Sequence, residues 1–243
     1  MTSFRPRITT ERADPASVRY RQTTVNEQPD ITADPEADSQ LSGSGLATEK
    51  ARRLSLINAM REAGDNPYPY RFDRTHTLAE VRDTWGNLEP GIETEDAVTV
   101  AGRIMLKRDS GKLIFATVRD RSGEVQLFIS KAVVGNDEFA AIKGLDLGDW
   151  VGVAGTVMTT RKGELSVKPD SVVLLSKAIR PMPDKWHGLN DTDTRFRQRY
   201  ADLIVNEDAR RNFEIRHETV ASFRRTLSSK GFIEVETPVL HPE

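Results

Sequence analysis

The sequence predicts an α+β chain in which a five-stranded Greek-key β-barrel lies between two helical regions. Three observations carry this reading. Apolar residues recur at helical spacing over residues 46–64 and again over 206–232. From about 97 to 176 the apolar period becomes two. That period-two stretch is cut by short turn signals into five segments of strand length.

The first helix is "LATEKARRLSLINAMREAG", residues 46–64, with Thr48 placed to cap its start and Gly64 to stop it. Leu54, Ile57 and Met60 or Arg61 form a stripe expected to pack on the body of the molecule, with Lys50, Arg52 and Arg53 beside it. "NPYPY" then forces an extended path to about residue 96, because each proline disfavours helix in the residue before it. "VTVAGRIML", "KLIFATVRD" and "GEVQLFIS" are the first three strands, the second and third joined by the turn "RDRSG". "NDEFAAIKGLDLGD" is a short helix or turn, and "WVGVAGTVMTT" and "GELSVKPDSVVLLS" are two more strands joined by "RKG". Five strands with a helical insert after the third is the order of an OB-fold. Gly102, Gly152 and Gly155 suit the bends of so small a barrel. Beyond it, "NEDARRNFEIRHETVASFRRTLSSKGF" is helical, with Phe213, Val220, Phe223 and Leu227 in phase and Gly231 as its stop, and "FIEVETP" is a strand ended by Pro238.

Alternation places a face. Ile114, Ala116 and Val118 of the second strand, and Val125, Leu127 and Ile129 of the third, point into the barrel. Leu113, Phe115, Thr117 and Arg119, with Glu124, Gln126 and Phe128, then point outward. The outer face of strands two and three is where OB-folds commonly bind oligonucleotides. An exposed aromatic such as Phe115 offers a platform for a base, and the neighbouring amide of Gln126 can read a base edge. Arg108 and Glu164 could flank the pair. The alternative is that Phe115 packs under another domain and Gln126 is an ordinary surface amide.

Composition narrows the chemistry. The 243 residues are 37% hydrophobic and 30% charged, enough chain for one large or two small domains with ordinary cores. A formal net charge of −2 does not by itself advertise nucleic acid, although a local basic face remains compatible with it. With no cysteine, disulfides, thiolate metal sites and cysteine nucleophiles are excluded. His76, His187, His217 and His241 are too scattered to suggest a metal site. No apolar run approaches the roughly 20 residues that span a bilayer, and no secretory leader is visible, so a cytoplasmic protein is expected. Residues 1–45 are expected to be a disordered extension, basic around Arg5, Arg7, Arg12, Arg19 and Arg21 and acidic from Glu27 to Asp38. Its arginines could touch RNA, but the composition favours a solvated tail. No GxxxxGK[ST] or GxSxG occurs. "GSGLAT" half-matches GxGxxG, yet follows no strand. Glu234 and Glu236 share one side of a strand, a pairing more typical of a solvated edge than of a cation site. No complete catalytic constellation can be assembled.

A longer run is more specific. "KAIRPMPDKWHGLNDTDTRFRQRYADLIVNEDARRNF", residues 177–213, resembles the interdomain linker (177–211) of bacterial lysyl-tRNA synthetases. "KGFIEVETPVL" resembles motif 1 of class II aminoacyl-tRNA synthetases, with Pro238 as its signature proline. The strand-rich region, 97–176, resembles their OB-fold anticodon-binding domain, and 212–243 the start of their catalytic domain. The resemblance implies a lysine–tRNA ligase that uses ATP and magnesium, forms lysyl-adenylate, and transfers lysine to its tRNA. It places the anticodon's stacking aromatic on Phe115, the reading amide on Gln126, a basic contact on Arg108 and an acidic one on Glu164. It makes Gly231, Phe232, Glu234, Val235, Glu236, Thr237 and Pro238 the motif 1 segment of a homodimer interface. Catalytic motifs 2 and 3 are expected beyond residue 243, leaving this stretch inactive alone. The competing expectation is a free-standing OB-fold module that binds tRNA without catalysing anything. A lysyl transferase acting on lipid or protein fits less well, because of the barrel.

Overall fold

The structure, a computed structural model, describes residues 44–183, 189 and 191–238. Residues 1–43, and so nearly all of the expected extension, lie outside the described residues, as do Asp184 to Gly188 of the linker signature. The chain divides into two compact units, Met1–Pro181 and Met182–Glu243.

The first unit opens with helix α1, Ser44–Glu62. It starts before Thr48, which lies inside the helix rather than capping it; the Ser-Gly pair at the start is tolerated where the first N–H groups have no intrahelical acceptor anyway. The stop is as expected. Gly64 has φ +84°, its N–H bonds the Arg61 carbonyl at 3.0 Å, and the Asp65 N–H reaches back to Met60 at 2.9 Å. These are the two bonds of a Schellman cap. The buried stripe differs from the expectation. Ile57 is buried, but Leu54 is exposed and its neighbour Arg53 is 4% exposed instead. An arginine can be buried there because its Nε and Nη1 both meet acceptors. Its Nε donates to Glu49 at 2.7 Å, and its Nη1 faces the carbonyls of Leu147, Ala178 and Arg180 at 3.2–3.3 Å.

The segment expected to be extended contains a second helix, α2, Leu78–Trp85. Its signal is a capping box in "THTLAEV". The Thr77 hydroxyl accepts from the Glu80 N–H, and the Glu80 carboxylate accepts from the Thr77 N–H at 2.7 Å. The next donors are met from a distant hairpin: the Leu78 N–H bonds Asp120 and the Ala79 N–H bonds Ser122.

Strands β1 (Glu93–Ser110), β2 (Leu113–Arg119), β3 (Glu124–Ser130), β4 (Trp150–Thr159) and β5 (Leu165–Ser176) close into a barrel in the order β1-β2-β3-β5-β4. Every pairing is antiparallel except the short β3–β5 contact that closes the ring. β1 begins earlier than the onset near 97 suggested, because its first residues pair with the end of β4. β1 serves both halves of the barrel, pairing β4 up to Arg103 and β2 from there, with a register shift between Ile104 and Leu106 that bends it. Two short helices, α3 (Lys131–Val134) and α4 (Asn136–Lys143), form the insert after the third strand.

The interior is the set that alternation selects. Ile114, Ala116, Val118, Val125, Leu127 and Ile129 are all buried, packed with Val98, Val100, Val151, Val153 and Val167. Leu78 and Val81 of α2 and Phe139 and Ile142 of α4 complete this core. Two glycines permit close approaches. A Cβ at Gly152 would overlap the Phe72 ring, and one at Gly155 would overlap the Lys168 carbonyl at a register shift between β4 and β5.

Charged groups hold α1 and the exit of β5 to the barrel. Asp149 is fully buried; it accepts from Lys177 Nζ at 2.6 Å, the Ala178 N–H at 2.8 Å and the Asp146 N–H at 2.8 Å. Lys177 also bonds Asp146, which takes a further bond from Arg52 at 2.6 Å. Burial alone would push the Asp146 carboxyl up, but Lys177, Arg53 and Arg52 outweigh it and hold it below the usual range.

The second unit contains α5 (Thr192–Arg197), α6 (Arg199–Val205) and α7 (Glu207–Ser229). The "RFRQRYADL" run has a local physical role. Asp202, fully buried, accepts from Arg195 at 2.8 Å, Arg199 at 2.5 Å and the Asn206 amide. Arg199 also lies over the rings of Phe196 and Phe213, at 4.6 and 5.5 Å. α7 ends as expected: Gly231 has φ +86°, its N–H bonds Ser228, and the Phe232 N–H bonds Leu227. Phe213, Val220, Phe223 and Leu227 recur in phase but are 40–66% exposed. The expected strand at 232–238 is not formed. A strand needs a partner, and no described residue pairs with this segment.

Candidate nucleic-acid interface

The outer face of β1, β2, β3 and β5 is built by register. Arg108 of β1 pairs with Phe115 of β2, which pairs with Phe128 of β3. Directly paired residues share a face, so the three form one row across three strands. Two residues along, Thr117 pairs with Gln126, which pairs with Ser166 of β5. Glu164 lies two residues before Ser166, at the end of the β4–β5 turn. The four residues singled out in the sequence therefore fall on one diagonal, with Arg108 at one end and Glu164 at the other.

Each position has a local cause. Arg108 is exposed where β1 runs out toward the β1–β2 turn. Phe115 is half-buried, because its ring meets Phe128 edge to face, with centroids 5.4 Å apart and planes at 76°. Gln126 is half-buried, and its Nε2 donates to the Ser166 hydroxyl at 3.0 Å. That hydroxyl donates in turn to the Glu164 carbonyl at 3.1 Å. The carbonyl also accepts the Thr160 N–H at 2.9 Å, and the Glu164 N–H bonds the Thr160 hydroxyl at 3.0 Å, so the turn is rigid and the Glu164 side chain projects into solvent. Arg161 and Lys162 are exposed at its tip, and Gly163 supplies the left-handed residue at φ +84°.

The β2–β3 hairpin is fixed by one carboxylate. Asp120 accepts from the Ser122 N–H at 2.7 Å, the Ser122 hydroxyl at 2.6 Å and the Gly123 N–H at 3.0 Å through one oxygen, and from the Leu78 N–H through the other. Burial works against its charge, but these bonds hold its carboxyl below the usual range.

The arrangement offers a flat aromatic, a tethered amide, a cation at one end and an acid at the other. Stacking, hydrogen bonding to a base edge and contact with phosphate are all within the chemistry of these groups. Sequence reasoning found Phe115 and Gln126 but gave no part to Phe128 or Ser166. Phe128 was legible as an outward aromatic opposite Phe115. Ser166 shows only as a lone polar residue between Leu165 and Val167. Among the described residues no group of three or more histidine, aspartate or glutamate side chains could hold a metal ion, and no helix is long and apolar enough to cross a membrane.

Residues 98–175 match the family described as OB-fold nucleic acid binding domain, and residues 191–243 match tRNA synthetases class II (D, K and N). Fold and matches agree in kind: the barrel matches OB-fold nucleic acid binding domains, and the stretch after it matches class II tRNA synthetases. The relatives the chain is similar to are lysine–tRNA ligases. It is 46% identical over 206 residues to the lysine–tRNA ligase of Thermosynechococcus vestitus, an alignment covering 83% of this chain and 41% of the relative. It is 47% identical over 192 residues to that of a Synechococcus strain, covering 79% and 38%. With that of Enterococcus faecalis it shares 45% over 193 residues, covering 79% and 39%. The chain thus spans about two-fifths of the length of the curated relatives it matches.

Proposed function

We propose that this chain supplies the tRNA-reading part of a lysine–tRNA ligase, in which the outer β1–β2–β3–β5 face binds the anticodon of the lysine-accepting tRNA. The observation that carries the reading is the single diagonal of Arg108, Phe115, Gln126 and Glu164, on an OB-fold whose relatives at 45–47% identity are lysine–tRNA ligases. Phe115 stacks a base; Gln126 discriminates among bases by hydrogen bonds; Arg108 meets phosphate or a base edge; Glu164 accepts from an exocyclic amine or a ribose hydroxyl.

The whole protein's reaction is part of the same proposal: lysine and ATP, with magnesium, give lysyl-adenylate, and lysine passes to the tRNA in the cytoplasm. Residues 231–238, with the exposed apolar side chains of α7, form the motif 1 region of a homodimer. What supports this is the match of residues 191–243 to the class II family and the exposure of Phe223, Phe232, Ile233 and Val235.

The test compares binding of purified lysine-accepting tRNA with that of a tRNA bearing an unrelated anticodon, at fixed salt. Preferential binding to the first is the expected result. Equal binding of both tRNAs overturns the reading.

A further inference from the structure

We infer that Ser166 is a positioning residue that sets the donor–acceptor order of Gln126 and so selects uridine over cytidine at one loop position; this rests on the anticodon reading above.

A serine hydroxyl carries one proton. In Ser166 that proton is donated to the Glu164 carbonyl at 3.1 Å, so toward Gln126 the oxygen can only accept, and it does so from Nε2 at 3.0 Å. The amide is thereby given one orientation. Nε2 lies on the β5 side with one N–H remaining, and Oε1 lies on the other side as an acceptor. Ser166 is fully buried, so no water can take the place of its hydroxyl.

The order matters because the Watson–Crick edges of the two pyrimidines are inverted relative to each other. Uridine presents the N3–H donor beside the O4 acceptor. Cytidine presents the N3 acceptor beside the N4 amino donor. An amide aligned with its Oε1 at N3–H and its Nε2 at O4 pairs twice with uridine. Offered cytidine in the same place, it sets acceptor against acceptor and donor against donor. A free glutamine would turn over and read either base. Turning over here breaks the Ser166–Nε2 bond and pulls the hydroxyl proton away from Glu164. The parallel β3–β5 contact, only Gln126–Ser166 and Leu127–Val167, is what places the serine beside the amide.

The experiment uses the full chain and synthetic RNA hairpins with a uridine-rich loop, the composition that the resemblance implies for the anticodon of the lysine-accepting tRNA, each loop uridine replaced in turn by cytidine. The readout is the ratio of uridine to cytidine affinity at each position. Both affinities come from one preparation, so a partial loss of folded protein cancels. Wild type should discriminate at one position. Ser166→Ala should lower that ratio about 2- to 12-fold, the worth of one hydrogen bond, while affinity for the uridine hairpin falls less. Ser166→Gly, which removes the hydroxyl without adding volume, should do the same, and Ser166→Thr should keep the ratio. An unchanged ratio in Ser166→Ala and Ser166→Gly, or an equal loss for every hairpin, overturns the inference while leaving the anticodon reading intact. If Gln126→Ala also leaves every ratio unchanged, the anticodon reading itself fails.

Discussion

Phe115 and Phe128 face each other across the β2–β3 ladder as a directly paired couple, ring centroids 5.4 Å apart and planes at 76°. Such an edge-to-face pair contributes about 0.5–1.5 kcal/mol beyond area burial, and it restricts the ring that a base would stack on. Phe115→Ala is expected to weaken binding of the uridine-rich hairpin by about 1–3 kcal/mol, the value of one base–aromatic stack. Phe128→Leu keeps the apolar volume but loses the ring edge, so it should cost less and add nothing in a Phe115→Ala background. A double-mutant cycle read by titration checks this; additive losses would mean that Phe128 acts independently.

Asp149 lies at the centre of the charges that hold α1 and residues 177–180 on the barrel. It is fully buried and paired with Lys177 at 2.6 Å. Removing one member of a buried pair leaves the other charge uncompensated, at about 3–5 kcal/mol. Asp149→Ala should lower unfolding free energy by that order, measured by urea titration of tryptophan fluorescence. A change under about 1 kcal/mol, the range of an exposed pair, would show that water reaches the site.

The same cluster sets an acid limit. Arg52 and Arg53 hold the Glu49 carboxyl below its ordinary value by hydrogen bonds, and Asp146 is held low against its burial by Lys177 and the two arginines. For a carboxyl lowered on folding, stability is fully present above the unfolded value, about 4, and is lost as pH falls through the lower folded values. The melting temperature should therefore be flat with respect to these groups near neutrality and fall in acid. Asp146→Asn should show a shallower acid slope than wild type.

Gly155 and Gly152 separate two kinds of crowding. At Gly155 a new methyl meets the Lys168 backbone, which cannot yield without disturbing the β4–β5 ladder, whereas at Gly152 it meets the Phe72 ring, which can turn away. Gly155→Ala is expected to destabilise by about 1–3 kcal/mol and Gly152→Ala by less, both measured by thermal unfolding.

Much of the barrel was legible because alternation is enforced by burial. The inward set on β2 and β3 follows directly from period two, and the outward Phe115 and Gln126 follow from the same count. What was not legible depended on partners distant in sequence. Arg53 replaces Leu54 in the buried stripe of α1 because carbonyls at 147, 178 and 180 receive it, and no local pattern encodes those. α2 went unrecognised because it is eight residues long with only Leu78 and Val81 buried, although its Thr77–Glu80 capping box was in view. The strand at 232–238 was a period-two reading with no pairing segment among the described residues. Ser166 matters only through a contact forty residues away in sequence.

On the proposed function, the β1–β2–β3–β5 face reads an RNA loop through Phe115 and Gln126. The most direct test is the affinity of the full chain for the uridine-rich hairpin and for its cytidine-substituted forms, measured for wild type, Phe115→Ala and Gln126→Ala. Phe115→Ala should lose about 1–3 kcal/mol of binding with every loop sequence. Gln126→Ala should lose the uridine preference. Wild-type affinity and wild-type preference in both variants would contradict it.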